Sequence, residues 1–221
     1  MISVLEVWED AEARSPAGQM AVDEALLLTA GRPVLRAYRW ARPAVTFGYA
    51  QRHGEIVPLA RGLPAIRRWT GGGAVFHGED LTLALAVPSP HPLRLARPET
   101  IYLWIHEALA SALRTTLPDV RLAGPEDCRP GAACFVSPAL HDILCGGVKV
   151  GGGALRRGKA GVLYQGSLHA GPSVESLAAA LAESHERFAP GPELKILSDR
   201  LEVEKYSTDG WNRMRHCPTA C

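Results

Sequence analysis

Three short segments carry side chains whose type and setting suit acyl or phosphoryl chemistry. The first is Arg67-Arg68-Trp69-Thr70-Gly71-Gly72-Gly73-Ala74. Consecutive glycines have no side chains, so their main-chain N–H groups can approach a ligand closely. The same run also reads as a tight turn or bulge between strands. It lacks the terminal lysine and hydroxyl residue of a P-loop, which removes the nucleotide-loop reading. The second segment is Gly147-Val148-Lys149-Val150-Gly151-Gly152-Gly153-Ala154, with one lysine among apolar residues and glycines. A partly desolvated ammonium there would grip a carbonyl or phosphate oxygen, and a lysine snorkelling from a strand edge fits the segment equally. The third is Ala133-Cys134-Phe135-Val136-Ser137-Pro138, whose thiol precedes Lys149 by fifteen residues. A thiolate is the best protein nucleophile near neutral pH, and a nearby cation lowers its pKa. An inert buried cysteine is the competing reading, shared with Cys128 and Cys145. His77 would orient the glycine loop, touch an acceptor amine, or serve as a hydrogen-bonded structural histidine.

Strands and helices must position these groups. Residues 3–8 alternate weakly and predict a strand, and 17–30 predict an amphipathic helix that ends at Gly31. Residues 34–40 and 44–49 predict one hairpin around Pro43, and 74–77 and 81–87 a second around Gly78-Glu79-Asp80. A helix is expected over 100–117, a loop over 124–138, and strands over 142–150 and 161–169 on either side of the basic turn Arg156-Arg157-Gly158-Lys159. From Ser173 onward the pattern is helical with proline interruptions. No repeat or low-complexity tract divides the chain, so one domain is expected, with an antiparallel-leaning mixed sheet and flanking helices.

The 221 residues are 47% hydrophobic and 21% charged, enough to bury a sizeable core. Lysine and arginine total 24 against 23 aspartate and glutamate, which gives no long-range attraction to nucleic acid or an anionic membrane. The first ten residues lack the basic-then-apolar order of a signal peptide, and no apolar stretch is long enough to span a bilayer. Five cysteines without a secretory signal point to reduced thiols in the cytoplasm.

The ordered set Met20-Ala21-Val22-Asp23-Glu24-Ala25-Leu26, Arg36-Ala37-Tyr38-Arg39-Trp40, Phe47-Gly48-Tyr49-Ala50-Gln51, Arg67 to His77 and Lys149 to Ala154 resembles the lipoate-protein ligase and octanoyltransferase family. The resemblance covers most of the chain. It implies an α/β (α+β) fold with a mixed, largely antiparallel sheet flanked by helices, like the catalytic domain of biotin and lipoate protein ligases. That domain would occupy residues 1–221 with no C-terminal accessory domain. The resemblance makes Lys149 the active-site lysine. It places Arg68, Thr70, Gly71, Gly72, Gly73 and Ala74 along the acyl pocket, with His77, Gly152, Gly153 and Ala154. Cys134 matches the nucleophile of the cysteine-dependent octanoyltransferase branch, and the base role falls to the lysine rather than to His141. Glu204-Lys205-Tyr206 and Trp211-Asn212 resemble the segment that closes the domain by packing.

Two branches of that family compete. A transferase passes an acyl group from a thioester to its own cysteine and then to an acceptor lysine, without a cofactor. A ligase uses ATP and Mg to form an acyl-adenylate. Cys134 favours the transferase, whereas Gly73 favours the ligase, and Leu155 and Tyr164-Gln165-Gly166-Ser167 depart from the transferase pattern. The ligase alternative would draw on a separate accessory subunit. Expected partners are an acyl carrier protein and lipoyl domains of the glycine cleavage H protein and of 2-oxoacid dehydrogenase E2, met by a monomer. Acidic surfaces on those partners would be steered by Arg67, Arg68, Arg156, Arg157 and Lys159. Other classes are a silent acyl-binding protein and a zinc module on Cys128, Cys134, His141 and Cys145, whose spacings do not form two close ligand pairs, so no metal is expected.

Overall fold

The computed structural model describes residues 2–128, 138–169 and 171–216. In chain order the first elements are β1 (Ile2–Asp10), α1 (Pro16–Thr29), β2 (Val34–Tyr38), β3 (Ala44–Phe47), α2 (His53–Ala60), β4 (Ala65–Arg67), β5 (Val75–His77), β6 (Leu81–Pro88) and α3 (Pro98–Leu113). There follow β7 (Val120–Leu122), β8 (Ile143–Cys145), β9 (Val148–Arg157), β10 (Gly161–Leu168), α4 (Val174–Leu181), β11 (Ala182–Arg187), α5 (Pro192–Leu201), a π-helical turn (Glu202–Tyr206) and α6 (Asp209–Met214).

Eight strands form one mixed sheet in the order β11-β1-β2-β6-β10-β9-β8-β7, and β4-β3-β5 form a smaller one. Pairing is parallel at β11-β1 and β1-β2 and antiparallel from β2 to the β7 edge. Helices cover both faces of the large sheet, as expected for an α/β fold. Alternation along β6 divides the core between them. Leu83, Leu85 and Val87 join Ile101, Ile105 and Leu109 of α3 and Leu177 of α4, whereas Ala86 joins Leu26 of α1 and Leu194 of α5. A third, smaller cluster of Val45, Phe47, Ile56 and Ala74 joins α2 to the small sheet. Helix α1 begins where Ser15 Oγ accepts the Gly18 N–H at 2.9 Å, with Pro16 opening the first turn. Arg36 lies in β2 with no exposed surface. Its guanidinium donates to Asp10 at 2.8 Å and Asp23 at 2.6 Å, so the charge is matched inside the core. Among the described residues no helix is long and apolar enough to cross a membrane.

Neither expected hairpin forms. Strand β2 is buried along its whole length and sits between β1 and β6, whereas β3 crosses into the small sheet. The crossing is tied by Trp40, whose indole N–H donates to Thr82 of β6 at 2.8 Å. Strands β5 and β6 likewise belong to different sheets. A strand with both faces buried, like β6, needs neighbours on both edges, and β2 and β10 supply them. The strand expected over 142–150 is two strands, β8 and β9, joined at Gly146 and Gly147 with φ of 55° and 80°. The tail is not wholly helical, because its polar segment Ala182–Arg187 adds to β1 through backbone bonds as the edge strand β11.

Candidate active site

A cavity of about 400 Å³ opens between the glycine loop after β4 and the glycine-rich start of β9. Its size falls in the range of roughly 300–1,000 Å³ usual for small-molecule sites. Met20 and Tyr38 contribute to its wall from α1 and β2, Gly73 and Ala74 line it from the loop, and Gly152 and Gly153 from β9. Close backbone approach explains why glycines stand here. A Cβ on Gly153 would lie 2.5 Å from the Tyr164 hydroxyl, and Gly72 adopts φ 81° beside the Ala154 methyl.

The glycine loop is held from below by Arg68, which is buried. Its guanidinium donates to Gly71 O at 2.9 Å, Gly73 O at 2.7 Å and Thr46 Oγ1 at 2.8 Å. Burial pulls its pKa down to about 10, which still leaves it charged at neutral pH. His77 Nε2 shares a hydrogen bond with Thr46 Oγ1 at 2.8 Å, and Nδ1–H donates to Asp80 at 2.9 Å. The ring stacks on Trp40 at 4.2 Å, and burial holds its pKa low, which favours the neutral imidazole. Burial works against the charge of Asp80, yet donors from His77, Gly78 and Ser167 keep its carboxyl well below the usual range. Thr70 donates to Gln165 at 2.7 Å, and Gln165 donates to Asp23 at 2.7 Å, which anchors the loop to α1.

Lys149 stands at the cavity, its side chain about one third exposed, with Nζ 2.7 Å from Asp142 Oδ2. Asp142 is buried and also accepts from the Tyr102 hydroxyl and the Ala139 N–H, each at 2.7 Å. Tyr102 in turn accepts the Gly153 N–H at 3.3 Å. Gly152 makes room for the lysine, since a Cβ there would meet Lys149 Cε at 2.7 Å. One buried carboxylate thus fixes the cation and, through Tyr102, the backbone facing it. Asp142 and Tyr102 were outside the sequence expectations. Asp142 sits in a segment read only as strand, and Tyr102 looks like any aromatic at the start of a helix.

Behind Tyr102, His106 Nδ1–H donates to His141 O at 2.7 Å, and Nε2 accepts from the Tyr164 hydroxyl at 2.9 Å. Burial pushes its pKa from 6.5 to about 4. Unfolded chains therefore take up this proton first as the pH falls, so the stabilisation is full above the unfolded value and is lost as pH drops through the folded one. A loss on the order of 3 kcal/mol is expected from this group between pH ~6.5 and ~4. Urea unfolding at pH 7 and pH ~4.5 checks it: His106→Asn should show a smaller pH-dependent loss than the wild type, and equal losses would refute the assignment.

The remaining expectations divide. Cys134 lies outside the described residues. Cys128 and Cys145 are free thiols whose Sγ atoms sit 3.4 Å from Gly124 O and 3.1 Å from Pro118 O. Among the described residues no three His, Cys, Asp or Glu side chains converge on a metal position. The expected basic steering cluster needs correction. Arg67 and Arg68, successive on and just after β4, are 1% and 5% exposed, and Arg156 lies over Trp69 at 4.7 Å. Of the five, only Arg157 and Lys159 are exposed, because strand alternation sends Arg67 and Arg68 into opposite packed faces. The closing segment packs as expected: Lys205 pairs with buried Glu24 at 2.6 Å, and the Trp211 indole donates to Arg67 O at 2.9 Å.

This fold is that of lipoate-ligase-like α/β catalytic domains. It superposes with a TM-score of 0.74 on a putative lipoate protein ligase from T. acidophilum with bound lipoic acid, at 21% identity over 96% of this chain and 99% of that one. A bi-partite lipoate protein ligase from Thermoplasma acidophilum, described with its E2 lipoyl domain, gives 0.72 at 20% identity over 99% and 100%. Residues 15–197 match the lipoyl protein ligase A/B catalytic domain, and the chain belongs to that family. Among relatives it is 36% identical over 177 residues to the octanoyltransferase LipM of Moorella thermoacetica, covering 74% of this chain and 65% of that protein. The LipM of Kyrpidia tusciae is 34% identical over 188 residues, 78% of this chain and 69% of that protein. The chain thus spans about two thirds of the length of these curated relatives.

Proposed function

We propose that this domain transfers an octanoyl or lipoyl group from a carrier thioester to the lysine of a lipoyl domain through a thioester on Cys134. The observation that carries the reading is Lys149, a cation fixed by buried Asp142 at a glycine-lined cavity of acyl size. Relatives named octanoyltransferase favour octanoyl as the group. In the first half-reaction the Cys134 thiolate adds to the donor carbonyl. Collapse breaks the donor C–S bond, leaves the acyl group on Cys134 as the enzyme thioester and expels the donor as a thiolate, which takes up a proton equivalent to the one the Cys134 thiol gave up. In the second, the neutral amine of the acceptor lysine adds, the C–S bond to Cys134 breaks as the amide forms, the nitrogen loses one proton to solvent, and the Cys134 thiolate is regenerated. Negative charge gathers on the carbonyl oxygen in both intermediates, where a fixed ammonium helps most. Asp142 holds that ammonium in place, and Arg68 fixes the glycine loop through the Gly71 and Gly73 carbonyls.

No cofactor enters this scheme. Its donor is an acyl carrier protein and its acceptors are lipoyl domains of the H-protein and E2 type, met by a monomer in the cytoplasm. A second reading, ATP- and Mg-dependent ligation with an accessory subunit, rests on Gly73 at the third loop position. Transfer from an octanoyl thioester with ATP omitted, followed by intact mass, tests the choice, with Cys134→Ala as the diagnostic variant.

A further inference from the structure

Arg67 and Arg68 point to opposite faces of the small sheet, and only Arg68 serves the acyl cavity. On the other face lies a separate concavity of about 310 Å³, lined by Arg52, Arg67, Arg213 and Arg215 with His53 and the backbone at Gly54. Four arginines line it. Arg67 is buried, and its donors reach only backbone carbonyls, among them Tyr49 O at 2.6 Å, Gln51 O at 2.7 Å and Asn212 O at 2.8 Å. Among the described residues neither Arg67 nor Arg215 has a carboxylate within ion-pair distance. The acids present are exposed and sit beside the other two: Asp209 is 3.2 Å from Arg213, and Glu55 is 3.8 Å from Arg52. Burial, and then the charge of Arg215, lowers the pKa of Arg67. Burial followed by Arg213 and Arg67 lowers that of His53. Among the described residues, positive charge at Arg67 and Arg215 therefore faces this space with no carboxylate paired to either. The first turn of α2 opens on the same space, and Arg52 at its N-cap makes no side-chain capping bond. The helix dipole there adds to the field, with Glu55 of the same turn opposing it.

We propose that this concavity is a binding site for a phosphate group. Guanidinium forks match phosphate oxygens in pairs, a contact open to the exposed Arg52, Arg213 and Arg215, while buried Arg67, its donors held by carbonyls, adds fixed positive charge. The phosphate belongs either to the phosphopantetheine arm of the acyl donor, a source that rests on the thioester-transfer reading, or to free inorganic phosphate. Arg67 braces the fold through Asn212 and is left intact in the test. The variant is Arg213→Ala with Arg215→Asn, both exposed; asparagine is chosen because Arg215 adopts φ 61°. Circular dichroism confirms that the variant is folded, and Arg52→Ala provides an independent second variant.

Inorganic phosphate is titrated against the full chain by phosphorus NMR at constant ionic strength. Saturable binding that is lost in the variants supports the site. An absence of saturable binding, or binding unchanged in both variants, overturns it. In parallel, KM is measured for octanoyl-phosphopantetheine and for octanoyl-pantetheine. A KM about tenfold lower for the phosphorylated donor, with the ratio falling to near one in the variants, assigns the site to the donor arm. Equal KM values in the wild type together with saturable phosphate binding assign it to free phosphate and overturn the donor-arm source. If neither donor supports transfer, the transferase reading fails, and the phosphate titration still decides the site.

Discussion

Lys149→Ala is expected to lower acyl transfer by at least about two orders of magnitude while leaving the protein folded, since removing one fixed donor to a developing oxyanion typically costs that much. The lysine is partly exposed and its loss leaves no cavity in the core, so the protein should still fold, with a lowered thermal midpoint from the buried Asp142 carboxylate left without its counter-charge. Asp142 keeps the Tyr102 and Ala139 donors even without the lysine. Lys149→Arg should also fall sharply. The ammonium lies over Gly152 with its Cε tucked where a Cβ would be, and a planar guanidinium is too wide for that berth. Single-turnover measurements separate the two half-reactions. Loss of the acyl-enzyme places the lysine in the first step, and a normal acyl-enzyme that cannot be delivered places it in the second alone. Wild-type rates for both would make Lys149 a strand-edge residue and remove it from the site.

Gly48→Ala should have a comparable effect by a different route. A Cβ at Gly48 would lie 2.0 Å from Gly72 O and 2.8 Å from Gly71 O, and both atoms are backbone. The glycine loop must move, and with it the carbonyls gripped by Arg68. Displacement of about 1 Å at a positioning element can cost on the order of a hundredfold in rate. Gly31→Ala is the control, because a Cβ there meets nothing within 4 Å. Steady-state transfer assays on both variants check this. Equal activity would show that the loop tolerates displacement and does not shape the cavity.

Much of the fold is legible in the sequence because its elements carry strong local signals. Helix α1 has its serine cap and proline start, β6 its apolar run, and the two glycine segments stand out by composition. Pairing is less legible. Phe47 reads as the second arm of one hairpin and Phe76 as the first arm of the other, yet both lie in a separate sheet, because the edges of β2 and β6 are taken by β1, by β10 and by each other. Short or polar elements such as β7, α2 with its internal Pro58, and β11 leave little periodicity to read. The site divides in the same way. Lys149 and the glycines are visible as anomalies of composition, whereas Asp142 and Tyr102 act only through contacts from α3 and the β8 approach. Arg67 and Arg68 show the limit most clearly: identical neighbours in sequence, they line two separate concavities.

The central claim is that acyl transfer passes through Cys134. Intact mass of the protein after mixing with an octanoyl-carrier thioester, with ATP omitted, tests it most directly. Wild-type protein should gain the mass of one octanoyl group and pass it to an added lipoyl domain, and Cys134→Ala should do neither. A Cys134→Ala protein that modifies the lipoyl domain at the wild-type rate, from free octanoate and ATP, would contradict the account and make the domain a ligase.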